Sequence, residues 1–323
     1  MTIGVAVCER QHPSRSRRHP IEGAPVSDPN PAAPTSPATT DASPAGTVDD
    51  LAAETWTASG DYRDISYRTT ADGIALITIE RPEVRNAFRP LTSAELVHAV
   101  ARARHDRAVR VVLLRGAGDR AFCSGADLSA RAHGEADAAS PIAPASVIDL
   151  QFAIRRIEKP VIALVAGYAV GGGQVLHQVC DLSIAADNAV FGQVGPRVGS
   201  FDGGYGINLL AKQVGHKRAK EIWFLCRRYD AERALDWGLV NTVVPVADLL
   251  AEGVSWAREL IAMSPAALRM LKSSVNAEED GLGGVAQLAN DACTLYYGTD
   301  EAAEGAAAFL EKRAPEFDDK FAF

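Results

Sequence analysis

The sequence predicts an α/β fold, because short apolar segments alternate with segments of helical periodicity along most of the chain. Two β-branched runs, residues 109–114 and 161–165, are short and continuous, as in strands that are buried on both faces. Residues 92–104 precede the first run and carry apolar side chains at helical spacing. After Asn208 most of the chain has helical spacing, which predicts a helical region at the C-terminal end.

The predicted elements follow one another from a turn at Asp72-Gly73. Residues 74–79 come next, and because apolar and polar residues alternate there, they predict one strand of a hairpin. The other predicted elements are strands at residues 182–186 and 189–191 and helices at residues 209–214, 219–226, 231–237 and 247–263.

Composition divides the 323 residues into three predicted parts. Residues 20–46 are rich in Pro, Ala, Ser and Thr, so they cannot bury enough apolar surface to offset the entropy lost on ordering. Residues 1–58 are therefore predicted to be a disordered leader. The α/β core is expected at residues 59–255 and the C-terminal helical region at residues 256–323.

Charge and composition also limit the partners. The formal net charge of -8 argues against a nucleic-acid partner, because such proteins normally have a basic surface. The most apolar stretch, residues 161–182, is interrupted by three glycines, His177 and Gln178, so no membrane span is predicted. Five scattered cysteines without CxxC spacing predict reduced thiols in a cytoplasmic protein and no metal site.

Two glycine-bearing turns are the strongest candidates for chemistry. The segment AFCSGAD (residues 121–127) follows a predicted buried strand, and Gly171-Gly172-Gly173 follows the next one. A glycine-rich turn between strand and helix points backbone N–H groups outward, and two such turns can aim two N–H groups at one oxygen. An isolated triple glycine is more often explained by close packing of a helix on a strand, so the pair carries the prediction of an oxyanion hole.

These turns carry a family resemblance. The segments AFCSGAD, AGYAVGGG and CDLSIAADNAVFGQ resemble the crotonase (enoyl-CoA hydratase) superfamily over residues 62–318. The resemblance implies a spiral of ββα units, a homo-hexamer built as a dimer of trimers, and an acyl-CoA substrate whose CoA is the only nucleotide group. It also implies that the N–H groups of Ala126 and Gly172 bind the thioester oxygen.

The hydratases of this superfamily use two glutamates, and this chain has neither. Val175 occupies the position two residues after the triple glycine, and Gly195 occupies the position two residues after the glutamine of FGQ. Addition of water needs a general acid or base within hydrogen-bond reach, and neither side chain can act as one. Simple hydration is therefore not expected.

Longer segments are similar to the 1,4-dihydroxy-2-naphthoyl-CoA synthases, which close a ring in menaquinone biosynthesis. The similar segments are FGQVGPRVGSFDGGYG, RPEVRNAFRPLT, AKEIWFLCRRYDAERALDWGLVNTVVP and LYYGTDEAAEGAAAFLEKRAPEF. The similarity implies a carbon–carbon lyase in which Ser200, Asp202 and Tyr297 line the acyl pocket. It also implies bicarbonate as the base, bound by Gln193 beside Gly195. The residues predicted to contact the rest of the substrate are Arg85, Asp127, Arg131 and Tyr205.

Two other functions stay open at this point. Hydrolytic ring opening of a cyclic β-ketoacyl-CoA would use the same oxyanion hole in the opposite direction, and Val194 together with the altered loop after Asp127 is compatible with it. That loop begins with Leu128 where the synthases have glutamine, and residues 129–140 contain no tyrosine. A non-catalytic acyl-CoA-binding scaffold is the third possibility, against which the retained Ser200, Asp202 and Tyr297 argue.

Overall fold

Two β-sheets form the centre of the molecule. The computed structural model describes residues 54–127, 142–201 and 204–317. The strands are β1 (Thr57–Ala58), β2 (Ile65–Thr69), β3 (Ile74–Ile79), β4 (Val111–Gly116), β5 (Ala121–Cys123), β6 (Val161–Val165), β7 (Tyr168–Val170), β8 (Leu182–Ala186), β9 (Val190–Gly192), β10 (Arg228–Asp230) and β11 (Thr242–Val244).

The larger sheet has the strand order β1-β2-β3-β4-β6-β8-β11. Strands β1, β2 and β3 are antiparallel, with Ile65 opposite Ile79, whereas β3, β4, β6, β8 and β11 run parallel to one another. The parallel strands need crossover connections, and these carry the chain to the smaller sheet and to the helices. The predicted hairpin is confirmed, because β2 and β3 are joined by the Asp72-Gly73 turn.

The larger sheet is covered on both faces. All six residues of β3 are buried, the polar Thr78 included. Ala75, Ile77 and Ile79 pack into one apolar cluster, whereas Ile74 and Leu76 pack into a second cluster on the opposite face. A strand in the middle of a sheet that is covered on both faces has no solvent side, whatever the alternation in its sequence.

The smaller sheet positions the candidate site. Its order is β10-β9-β7-β5, in which β5, β7 and β9 are parallel and β10 pairs antiparallel with β9. Carboxyl ends of parallel strands meet at one edge, where ligands commonly bind in α/β proteins. Here β5 is followed by Ser124, β7 by Gly171 and β9 by Gln193.

The helices lie outside the sheets and at the C-terminal end. They are α1 (Pro90–His105), α2 (Val147–Arg156), α3 (Gly172–Gln178), α4 (Gly206–Val214), α5 (His216–Leu225), α6 (Ala231–Asp236), α7 (Leu249–Ile261), α8 (Pro265–Glu279), α9 (Gly281–Tyr296) and α10 (Asp300–Glu311). The α/β fold class with C-terminal helices is confirmed. The largest differences at predicted helix starts are at α4 and α5, which begin at Gly206 and His216 and not at residues 209 and 219.

The predicted domain boundaries lie within structured segments. Of the predicted leader, residues 1–53 lie outside the described residues, but β1 falls inside it and pairs with β2. Glu54 forms an ion pair with Arg258 at 2.7 Å. The predicted boundary after residue 255 falls inside α7. Among the described residues, no helix is both long enough and apolar enough to cross a lipid bilayer.

Candidate active site

A cavity of about 270 Å³ lies at the carboxyl ends of β5, β7 and β9. A volume just below the roughly 300 Å³ of the smallest pockets for drug-sized ligands suits an acyl group better than a whole CoA thioester. The described residues that line it are Phe88, Ser124, Gly125, Ala126, Val147, Gln151, Gly171, Gly172, Val175, Gln193, Val194, Gly195, Val198, Ser200, Phe201 and Trp223.

Glycines bring the two turns of the cavity together. A Cβ atom at Gly173 would lie 1.8 Å from the carbonyl oxygen of Cys123, so only glycine lets α3 pack directly on the end of β5. Gly171 and Gly125 have positive φ angles of 57° and 91°, which other residues rarely adopt. The two turns lie so close together that a Cβ at Gly125 would be only 3.0 Å from the Gly172 nitrogen.

Two backbone N–H groups at this junction are unpaired. In the described parts of the chain, neither the Ala126 N–H nor the Gly172 N–H donates a hydrogen bond. Gly172 is the first residue of α3, where N–H groups have no partner within the helix. Both residues line one cavity, so their N–H groups are available to a ligand there, as the two donors of an oxyanion hole must be.

Phe88 connects the two turns. Its N–H donates to the Gly125 oxygen and its carbonyl accepts the Asp127 N–H, both at 2.9 Å, so it flanks Ala126 as a neighbouring strand would. Its ring lies against the other turn, since a Cβ at Gly172 would be 2.6 Å from the ring Cζ. Sequence reasoning did not identify Phe88, because its contacts with residues about 40 and 80 positions away leave no local signal.

The chain belongs to the enoyl-CoA hydratase/isomerase family. The family model matches residues 69–320, which is most of the chain and includes both turns. The crotonase-type fold and the general activity on acyl-CoA substrates follow from this membership.

Solved structures of this family support the assignment. An enoyl-CoA hydratase subunit I from Geobacillus kaustophilus HTA426 is 32% identical, with 81% of this chain and 100% of that chain covered and a TM-score of 0.63. An enoyl-CoA hydratase from Bacillus anthracis is 30% identical, with 79% and 99% covered and a TM-score of 0.63. An enoyl-CoA hydratase/carnithine racemase from Magnetospirillum magneticum is 30% identical, with 81% and 97% covered and a TM-score of 0.63.

The cavity of this family member has no carboxylate among its described lining residues. Val175 and Gly195, which stand where the hydratases have glutamates, both line the cavity. His177 lies on α3 but does not line it, and burial lowers the pKa of its imidazole to about 3. The described side chains therefore offer no evident general base for the reaction.

Gly195 lies where the chain folds back on itself. Its φ angle is not positive, so the residue is not required for an unusual backbone conformation. A Cβ at this position would instead lie 2.9 Å from the Ser200 carbonyl oxygen and 3.5 Å from the Trp223 ring. The Ser200 N–H donates to the Gly195 oxygen at 2.9 Å, which closes the turn that carries Ser200 to the cavity wall.

Gln193 and Trp223 lie close to Gly195 on the cavity wall. Gln193 is buried, and its Nε2 donates to the Gly171 oxygen at a long 3.3 Å. Trp223 reaches the same wall from α5, and its Cζ3 would lie 3.5 Å from a Cβ at Gly195, so the indole faces Gly195 with the edge opposite Nε1. The buried Nε1 has no hydrogen-bond partner in the described residues. Sequence reasoning missed Trp223, although it belongs to one of the segments that resemble the synthases.

The other predicted site residues lie outside the cavity wall. Asp127 is paired with Arg81 at 3.1 Å. Arg85 stacks on the ring of Tyr168, with 5.5 Å between its guanidinium carbon and the ring centroid. The Tyr205 ring lies beneath the guanidinium of Arg155, and burial raises its pKa.

Three further predicted site residues are Asp202, Arg131 and Tyr297. Asp202 and Arg131 lie outside the described residues. Tyr297 follows α9, is 75% exposed, and does not line the cavity of its own protomer. In the described ranges, no group of three or more His, Cys, Asp and Glu side chains is arranged to hold a metal ion.

Proposed function

We propose that the protein closes o-succinylbenzoyl-CoA to 1,4-dihydroxy-2-naphthoyl-CoA by an intramolecular Claisen condensation. The supporting observation is the combination of two unpaired N–H groups, at Ala126 and Gly172, with a cavity whose described lining carries no carboxylate. An oxyanion hole stabilises an enolate, whereas the missing glutamates remove the means of adding water to a double bond.

The chain's own groups have two tasks in this reaction. The N–H groups of Ala126 and Gly172 hydrogen-bond the thioester oxygen and stabilise the negative charge that it gains when the α-proton leaves. The enolate carbon then forms a bond with the carbon of the aromatic carboxyl group, and one molecule of water is lost overall. Ser200, on the turn closed by Gly195, is placed on the cavity wall to hydrogen-bond that carboxyl group.

Bicarbonate fits the residues beside Gly195. Gln193 offers an amide whose only hydrogen bond in the described residues is long, and the Trp223 ring lies against Gly195. A Cβ at position 195 would lie 2.9 Å from the Ser200 carbonyl oxygen, so glycine lets this turn close tightly beside Gln193. When bound, bicarbonate would supply the general base that the described lining lacks.

The first test is the dependence of turnover on bicarbonate. We expect formation of naphthoyl-CoA from o-succinylbenzoyl-CoA, followed by its absorbance, to fall sharply in degassed bicarbonate-free buffer and to return when bicarbonate is added. Undiminished turnover without bicarbonate would contradict the proposed base. If the protein instead releases acid from a cyclic β-ketoacyl-CoA and leaves o-succinylbenzoyl-CoA unchanged, the ring-opening alternative is correct.

A matched pair of variants isolates the base. Gly195→Ala and Gly195→Asp add the same Cβ, which must displace the Ser200 carbonyl from 2.9 Å, but only the aspartate adds a carboxylate. We expect Gly195→Ala to be nearly inactive with or without bicarbonate. Gly195→Asp should retain measurable turnover that no longer depends on bicarbonate. Equal loss of activity in both folded variants would contradict the assignment of this space to the base.

A further inference from the structure

Arg81 lies between two carboxylates behind the oxyanion turn. Its Nη2 is 3.1 Å from Asp127 Oδ2, and its Nε is 3.7 Å from Asp64 Oδ2. The side chains of Arg81, Asp64 and Asp127 are only 12%, 3% and 10% exposed. A guanidinium at this depth, facing two carboxylates, fixes the geometry of both more firmly than a surface ion pair would.

The far carboxylate is itself anchored. Arg89 donates to Asp64 through Nε and Nη2, both at 2.8 Å, and Thr92 Oγ1 donates to the same group. Burial raises the pKa of Asp64, but the hydrogen bonds from Arg89 and Thr92 outweigh burial and leave the pKa lowered. Asp64 is therefore an anion held in place by Arg89 and Thr92. It faces the Nε side of the Arg81 guanidinium.

The near carboxylate belongs to the residue next to an oxyanion donor. Asp127 follows Ala126, and its backbone N–H donates to the Phe88 oxygen. Arg81 also holds the chain on the other side of this pair, because its Nη1 donates to the carbonyl of Ala87. One guanidinium therefore contacts both Ala87 and Asp127, which belong to the two paired backbone segments. The pairing of these segments sets the direction of the Ala126 N–H.

The turn that carries Arg81 is rigid. Asn86 is fully buried with a positive φ of 54°, and its side chain accepts the Arg81 N–H and donates to the carbonyls of Ala117 and Ala121. A left-handed asparagine is uncommon, and these three side-chain hydrogen bonds stabilise it. Arg81 is therefore fixed at its backbone as well as at its guanidinium.

From these contacts we infer that Arg81 and Asp127 are positioning residues, which hold the Ala126 N–H in register with the Gly172 N–H. Asp127 then acts by holding its own backbone and not by contacting substrate. The inference rests on the proposed function in one respect, that a thioester oxygen lies between the two N–H groups. A displacement of one donor by a fraction of an ångström weakens its hydrogen bond to the developing oxyanion and leaves CoA binding largely intact.

The test measures the oxyanion hole without turnover. Benzoyl-CoA labelled with ¹³C at its carbonyl has no α-proton, so the protein cannot form an enolate from it. We expect the labelled carbonyl band in the infrared difference spectrum to move to lower frequency on binding to the parent protein. In Asp127→Asn that shift should fall by at least half.

Kinetics and a conservative variant complete the test. Asp127→Asn should lower kcat about 10- to 100-fold with KM changed far less. Arg81→Met should do the same, and Arg81→Lys should recover part of the carbonyl shift because an ammonium can still reach one carboxylate. The matched control is Asp291→Asn, which removes a buried carboxylate 2.7 Å from Arg269 outside the cavity wall. It should lower the thermal midpoint and leave the carbonyl band unchanged.

The outcomes separate the inference from the proposed function. If the parent protein binds benzoyl-CoA without shifting the carbonyl band, the oxyanion hole itself is wrongly assigned. If the parent shifts the band and folded Asp127→Asn and Arg81→Lys shift it equally, the positioning role is overturned while the proposed function stands. An equal effect of Asp291→Asn would show that general loss of stability, and not local positioning, moves the band.

Discussion

His177, a buried residue of α3, is expected to affect stability through its protonation. It is fully buried on α3, its Nδ1 is 3.1 Å from Ser183 Oγ, and its ring lies edge-on to Phe191. Burial lowers its pKa to about 3, whereas an unfolded histidine has a pKa of about 6.5. The folded protein therefore keeps this imidazole neutral at pH values where the unfolded chain protonates it.

The sign of the pH dependence follows from these two values. Above about pH 6.5 His177 is neutral in both the folded and the unfolded chain, so its full contribution to stability is present. Below about pH 6.5 only the unfolded chain binds a proton at this residue. The free energy of unfolding then falls by up to about 1.4 kcal/mol per pH unit. We expect His177→Leu to flatten the fall in the free energy of unfolding between about pH 6.5 and pH 4, measured by urea titration. The control is His105→Leu, at an exposed histidine. If the free energy of unfolding falls equally with pH in the parent and in His177→Leu, the assignment of this pH dependence to His177 is wrong.

Five of the residues predicted from motifs lie together in the structure. Ala126, Gly172, Gln193, Gly195 and Ser200 were predicted together and line one cavity, although their roles stay predictions. The reason is that the first four lie within a few residues of a strand end, and the strand order brings those ends to one edge. Ser200 is held there by its hydrogen bond to Gly195. Phe88 and Trp223 were not predicted, because they reach the cavity from α1's N-terminal turn and from α5 by tertiary packing.

At the scale of elements, the C-terminal helix α8 is joined to the core through the polar contacts of one lysine. Lys272 on α8 donates to the carbonyls of Ile154 and Lys159 and to Asp181 Oδ2, at 3.0, 3.1 and 2.7 Å. Asp181 also accepts the N–H of Val161, the first residue of β6. One ammonium thus connects α8 to the end of α2 and to the larger sheet.

Removal of this ammonium tests how much the junction contributes. The Lys272 side chain is 8% exposed, and loss of one partner from a buried ion pair costs roughly 3 kcal/mol. We expect Lys272→Met, which keeps the aliphatic stem, to lower the free energy of unfolding by about that amount in urea titration. Lys212→Met is the control, because Lys212 is 3.7 Å from the exposed Glu278 and should contribute less than about 1 kcal/mol. Similar losses in both would show that burial does not distinguish the two pairs.

The long elements were predictable and the short edge strands were not. Runs such as Val161–Val165 and the helical spacing before β4 are strong local signals. In contrast, β10 and β11 have three residues each, none of them buried, and fell within a region predicted to be helical. Their strand conformation comes from pairing with β9 and β8, which is a tertiary effect.

At the scale of the whole molecule, the C-terminal helices expose large apolar side chains. Leu282, Phe309 and Leu310 are 88%, 82% and 79% exposed. Contiguous exposed apolar surface is uncommon on monomers and marks contacts with other proteins. Tyr297 is exposed in the same region and cannot line its own cavity, so its predicted role in the acyl pocket requires a second copy of the chain.

The hexamer implied by the family resemblance is therefore testable at α10. Phe309→Asp combined with Leu310→Asp places two charges where an apolar contact is proposed, and burial of an unpaired charge opposes association. We expect the parent to have six times the mass of one chain by light scattering and the double variant to form smaller species with lower turnover. Ala71→Asp adds a charge to the exposed β2–β3 turn and should leave the mass unchanged. A monomeric parent would contradict the hexamer, and a double variant of unchanged mass would exclude α10 from the interface.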